Sequence, residues 1–263
     1  MNIKQGRLKL MASFLGYSIA NAGDMNTIIA SQGLRPVISL QGGYASIHAD
    51  GNTQRFTGTD ADMFSYTKPD NGKNTGFIGV FLGIEHDLPL ISRPGFFMHT
   101  GCEYNYFCPI GINGLNTVGA ESQTVTTYNY NYSFQTQQVL GAFKLFATAY
   151  ERFHPYGEVG FGAAFNDASQ YNATTTETES LNLTPRFNNQ NKTQFSYNLG
   201  LGLDTRVDTK IRVGIGYRYS NFGSSALGNG AVIINNYQSP VSFSPGSTNT
   251  YTNQFIAHIR FVA

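Results

Sequence analysis

Charge is scarce in this 263-residue chain: Asp, Glu, Lys and Arg together make up 13% of it, and neither sign prevails. It lacks the basic footprint that neutralises phosphates, which excludes nucleic acid as a partner. After the first twenty or so residues, no stretch stays apolar for the roughly 18 residues a transmembrane helix needs, so any crossing of a bilayer has to use strands. The Ala-Leu-Lys-Glu composition of helical proteins is missing too. There are two cysteines, Cys102 and Cys108, with no C-x-x-C and no His/Cys cluster at metal-ligand spacing. No cofactor is implied. On one extended strand the two thiols would lie about 20 Å apart, too far to bridge. Pairing them would need a fold-back around Pro109; two free thiols are the alternative.

What the chain has instead is 29 Gly, 16 Tyr and 20 Phe, the make-up of an all-β protein with many turns. It opens with a basic segment (Lys4, Arg7, Lys9), a short apolar run (Leu10 to Ala20) and the small-x-small site Ala20-Asn21-Ala22. That order predicts a signal peptide over residues 1–22, followed by a periplasmic segment over 23–35 and one domain over 36–263. Removal of the leader takes three of the 17 Lys+Arg, leaving 14 against 16 Asp+Glu, a net charge of −2.

Eight strands are predicted: Pro36–His48, Asn74–His86, Gly95–Phe107, Phe134–Tyr150, His154–Asn166, Thr193–Arg206, Ile211–Ser220 and Tyr251–Phe261. Their connections alternate. Ala49–Lys73, Cys108–Ser133, Asp167–Lys192 and Asn221–Thr250 are long; Asp87–Pro94, Glu151–Phe153 and Val207–Lys210 are short. That asymmetry belongs to outer-membrane barrels and puts both termini on the short-turn, periplasmic side. The long stretches, rich in Asn, Thr, Ser, Gln, Gly and Tyr, are expected to be exposed loops without a core. Tyr128, Tyr130 and Tyr132 recur at period two. This reads as a strand protruding past the membrane in preference to a ligand-stacking surface.

Each strand splits into two sets. Ile78, Val80, Leu82 and Ile84 alternate with Phe77, Gly79, Phe81, Gly83 and Glu85. Leu199, Leu201 and Leu203 alternate with Gly200, Gly202, Asp204 and Arg206. Val213 and Ile215 alternate with Arg212, Gly214, Gly216 and Arg218. The aliphatic sets are assigned to a lipid-facing wall, the glycine-and-charge sets to a lumen. An eight-stranded barrel has an interior only wide enough for side chains to fill, so glycines have to make room for long residues. Inward ions then need partners. The expected network joins Glu85, Glu103, Glu158 and Asp204 to Lys144, Arg206, Arg212, Arg218 and Arg260, mostly in the periplasmic half. Aromatics such as Phe96, Tyr104, Tyr106, Phe153, Tyr217 and Tyr219 fall near strand ends, at headgroup height.

In the last strand Phe255, Ile259 and Phe261 alternate with polar residues. This resembles the C-terminal strand read by the barrel-assembly machinery, although Val262 and Ala263 follow the terminal aromatic. Leader, strand count, loop asymmetry and last strand together resemble the small outer-membrane β-barrel superfamily, the OmpA/OmpX and opacity-protein type. The resemblance runs from Pro36 to Phe261 and is one of pattern, with no diagnostic motif. It implies an all-β, eight-stranded, antiparallel up-and-down transmembrane barrel in the bacterial outer membrane. Outer-membrane lipid, lipopolysaccharide and the assembly machinery would be its partners, with a host or surface ligand at the loops. Superfamily members include structural proteins, adhesins, narrow channels and lipid-modifying enzymes. The reading taken is a structural or surface-interaction protein with a charge-plugged lumen; the alternative is a narrow porin-like channel. An enzyme ranks below both. None of His48, His86, His99, His154 and His258 is followed two residues later by Ser, as in the lipid A deacylases of this architecture. His99 with Glu103 is the nearest acid–base cluster, and both are expected to point inward.

Overall fold

The computed structural model describes residues 34–50, 53–57, 63–67, 72–88, 95–118, 126–149, 152–175, 183–234, 237–241 and 243–263. The expected signal peptide and cleavage site lie outside the described residues. Fourteen strands are described. They are β1 (Arg35–Ala49), β2 (Thr53–Thr57), β3 (Met63–Thr67), β4 (Lys73–Asp87), β5 (Phe96–Phe107), β6 (Ile110–Val118) and β7 (Thr126–Ala147). These are followed by β8 (Phe153–Thr175), β9 (Leu183–Phe187), β10 (Gln190–Arg206), β11 (Ile211–Ala226), β12 (Gly230–Ile234), β13 (Tyr237–Val241) and β14 (Gly246–Val262). Among the described residues no helix is long and apolar enough to cross a membrane.

Eight of the strands close into a ring. In order, β1, β4, β5, β7, β8, β10, β11 and β14 each pair antiparallel with the next, and β14 returns to β1 through Val37↔Val262 to Ala49↔Thr250. Closure satisfies every wall strand on both edges. The expected fold class is therefore the observed one: all-β, an eight-stranded up-and-down antiparallel barrel. Its strands match the eight predicted segments, with the main differences at the long-connection rim. There β7 starts at Thr126, β8 runs to Thr175 and β14 starts at Gly246.

Those extensions overturn the expectation of core-less loops. β6 pairs with β7, β3 with β6 and β2 with β3, while β9, β12 and β13 form a separate small sheet. Polar residues face out and aromatic ones face in: along β7, Tyr128, Tyr130 and Tyr132 are buried while Asn129 and Asn131 are exposed. Period-two alternation suffices to make a half-buried strand even at low overall hydropathy. The buried set joins Tyr66, Ile110, Ile112, Tyr130, Phe187 and Phe243 in one cluster that continues the barrel interior. In β11 the pairing slips at Gly223, whose φ of 71° requires glycine.

The lumen as candidate functional site

Alternation decides which way each side chain points, and it holds along all eight wall strands. The predicted lipid-facing residues are on the outer wall. Ile78, Leu201 and Ile215 are 67%, 66% and 68% exposed, and Leu82, Ile84, Leu199, Leu203 and Val213 are exposed beside half-buried Val80. On β14, Phe255 and Phe261 are exposed and Ile259 is half-buried, all on the same outer face. Apolar surface left this bare is stable only against an apolar phase.

The inner face is layered. Nearest the short turns, Glu85 takes ion pairs from Arg212 Nη1 (2.6 Å) and Arg35 Nη2 (2.6 Å) and a hydrogen bond with His99 Nε2 (2.7 Å). Asp204 takes an ion pair from Arg260 Nη1 (2.5 Å) and a hydrogen bond with His258 Nε2 (2.6 Å). Aromatic faces sit against the cations: Arg212 lies 4.6 Å from the Phe97 ring centre and Arg260 lies 4.9 Å from that of Phe146. The next layer is a square of alternating charge. Lys144 Nζ lies 2.9 Å from both Glu103 Oε2 and Glu158 Oε2; Arg218 lies 2.7 Å from Glu103 Oε1 through Nη1 and 2.5 Å from Glu158 Oε1 through Nε. Glu103 on β5 and Arg218 on β11 belong to opposite walls, so this pair crosses the full lumen.

Above the charges lie amides. Gln41 Nε2 donates to Asn105 Oδ1 (2.7 Å), Asn105 Nδ2 to Glu103 Oε1 (2.9 Å), and Gln138 Nε2 to Ser196 Oγ (2.7 Å). Above those lie rings: Phe107 from β5 meets Phe222 from β11 at 5.0 Å, again wall to wall. The top layer is the cluster of Tyr66, Tyr130, Tyr171, Phe187 and Phe243, beside polar outer faces that lie beyond the apolar belt. Burial pushes all three tyrosine hydroxyls up, Tyr130 to about 12.

Glycines make this filling possible. A Cβ on Gly202 or Gly216 would lie 2.5 Å from the Tyr156 ring or hydroxyl. One on Gly214 would lie 2.5 Å from Asp204 Oδ1, and one on Gly200 2.7 Å from Glu158 Oε1. The long inward residues occupy the space these positions leave.

One predicted lumen residue is not in the network. Arg206 is exposed at the rim, without an ion pair among the described residues. Its parity is that of Asp204, but it is the last residue of β10, beyond the enclosed part of the barrel. The carboxylate partner of His99 is Glu85, not Glu103, because Glu85↔His99 are direct cross-strand neighbours. Sequence reasoning missed Arg35 and the pairing of His258 with Asp204. Strand parity marks both as inward: Arg35 is the direct cross-strand neighbour of Glu85, and Asp204 and His258 reach each other across Gly214, which lies between them on the middle of three consecutive strands. Cys102 and Cys108 are both free and exposed.

Two histidine contacts bear on enzymatic chemistry. His99 and Glu85 are both fully buried, beyond the reach of a substrate. On the outer wall Ser46 Oγ lies 3.2 Å from His48 Nε2, in Ser-x-His order, the reverse of the pattern sought. His48 stacks on Tyr251 at 5.1 Å, and no carboxylate among the described residues orients it. A nucleophile–base pair is commonly oriented by such a third group. Among the described residues no group of three or more His, Cys, Asp or Glu could hold a metal ion.

The closed ring, apolar outer belt and filled lumen define a small eight-stranded antiparallel β-barrel. Comparison with known proteins finds no matching family model and no matching curated sequence. Solved structures with a similar fold include outer membrane protease OmpT of Escherichia coli (10% identity, TM-score 0.41, covering 89% of this chain and 98% of that one). They also include outer membrane protein OprG of Pseudomonas aeruginosa (10%, 0.41, 88% and 98%) and the attachment invasion locus protein Ail of Yersinia pestis (9%, 0.35, 86% and 98%). No activity is carried from any of them to this chain.

Proposed function

We propose that the chain is a structural and surface-interaction protein of the bacterial outer membrane. Its short turns and termini face the periplasm, and its long connections project outward as a built platform. The observation that carries this reading is the filled interior: charge pairs and aromatic pairs from opposite walls touch at two levels, leaving the long-connection rim as the working surface. Rigid scaffolds display binding loops in this way. Lipid and lipopolysaccharide surround the wall, the barrel-assembly machinery reads the last strand, and a surface or host ligand meets the platform. The chain is not an enzyme in this reading.

Replacing 230–241, the β12–β13 hairpin, with a short turn tests the platform. The barrel should stay folded, shown by heat-modifiable gel migration, while binding of whole cells to host-cell or abiotic surfaces falls. Unchanged binding would count against this hairpin, and stable single-channel steps in planar bilayers would replace the reading with the channel.

A further inference from the structure

Three bases at the short-turn rim have no acidic partner among the described residues: Arg152, Arg206 and Lys210, all exposed. Folding gathers them. Arg206 N–H donates to the Arg152 carbonyl (2.9 Å), Lys210 lies in the next turn, and its carbonyl accepts from Val262 N–H (2.9 Å). They sit on or beside the ends of β8, β10 and β11, consecutive wall strands about 4.8 Å apart, so the three backbone positions span about 10 Å. Like charges on paired strands repel, which favours an anion between them. The described acid closest in sequence, Asp208, has its Oδ1 engaged by Thr209 N–H at 2.7 Å.

One further observation points to a ligand. Beside the bases, Phe153, Val207 and Phe261 are 45%, 64% and 42% exposed, forming an apolar collar on the same rim. A soluble anion would use only the bases. A phospholipid uses both, its phosphate on the bases and its acyl chains on the collar.

We propose that Arg152, Arg206 and Lys210, beside the apolar collar, form a binding site for the headgroup phosphate of an anionic phospholipid. The site rests on the reading of the barrel as membrane-embedded. The full chain and the variant R152Q/R206Q/K210Q, folded into phosphatidylcholine vesicles containing a minority of phosphatidylglycerol, are extracted and their retained lipid is quantified. The wild type should retain phosphatidylglycerol enriched about tenfold over the bulk ratio. The variant, with unchanged heat-modifiable migration, should retain the bulk ratio. Wild-type retention at the bulk ratio, or undiminished enrichment in the folded variant, overturns the site. Full displacement by inorganic phosphate overturns the lipid assignment in favour of a soluble anion. Should the triple variant not fold, R206Q and a salt titration of the wild type decide; enrichment that ignores both salt and R206Q overturns the site. A barrel that fails to float with vesicles refutes membrane embedding itself, a separate outcome.

Discussion

Arg218 shows how much rests on single side chains inside the lumen. It is fully buried and bridges two carboxylates on different strands, Glu103 and Glu158. Its removal leaves two buried acids with Lys144 as their one cationic partner among the described residues. Breaking a buried pair by deleting one member costs about 3–5 kcal/mol. R218Q should therefore lower the unfolding free energy of the barrel by that order, read from the shift of its denaturant midpoint, whereas R218Q/E158Q, which removes one charge of each sign, should lose less. Equal losses would mean that charge balance in the square does not set its stability. The glycines make the complementary case. G216V pushes a side chain onto the Tyr156 hydroxyl, 2.5 Å from the new Cβ, and also within 3.0 Å of the Leu201 carbonyl. G216V should fold in low yield, and Y156A should restore part of that yield on a heat-modifiability gel. No rescue would place the clash at the backbone.

At the scale of the element, the strands of the long-connection rim carry the main departure from the sequence reading. Segments rich in Asn, Thr and Ser looked unable to bury a core, because average composition hides which face each residue takes. β7 alternates for 22 residues, and the rings it turns inward meet Tyr66 of β3 and Tyr171 of β8. That meeting depends on connections whose lengths say nothing of their pairing. The same burial sets a pH dependence. The Tyr130 hydroxyl is raised from 10.0 to about 12 in the fold, so the folded state holds its proton more tightly than the unfolded one. This stabilisation is complete below pH 10 and is lost as pH rises through the window up to about 12. Tyrosinate absorbance from this cluster should therefore appear late and together with loss of the rim structure, read by proteolysis. Y130F should remove the Tyr130 share of that transition; an unchanged profile would assign it to other groups.

For the whole molecule, closure governs. Ring order brings β5 and β11 face to face, and with them Glu103 to Arg218 and Phe107 to Phe222. Conductance in planar bilayers should stay at baseline in the wild type. E103Q/R218Q should leave the Phe107–Phe222 layer in place, and current should remain near baseline; open steps from that variant would show that the charged layer alone seals the lumen.

Period-two patterning is a local property of the chain, so the eight wall strands, the alternation of wall and lumen, and the sign of each inward residue were legible in the sequence. It placed Ile78, Leu201 and Ile215 outside and Glu85, Lys144 and Asp204 inside. It also placed Arg206 inside, since parity alone does not say where a strand leaves the enclosed region. Which acid meets which base was decided by tertiary structure. Glu85 found His99 by cross-strand register and Arg212 by the closing of the ring. The aromatic rim cluster, drawn from connections with no local signal of pairing, likewise exists only once the barrel has brought its strands together.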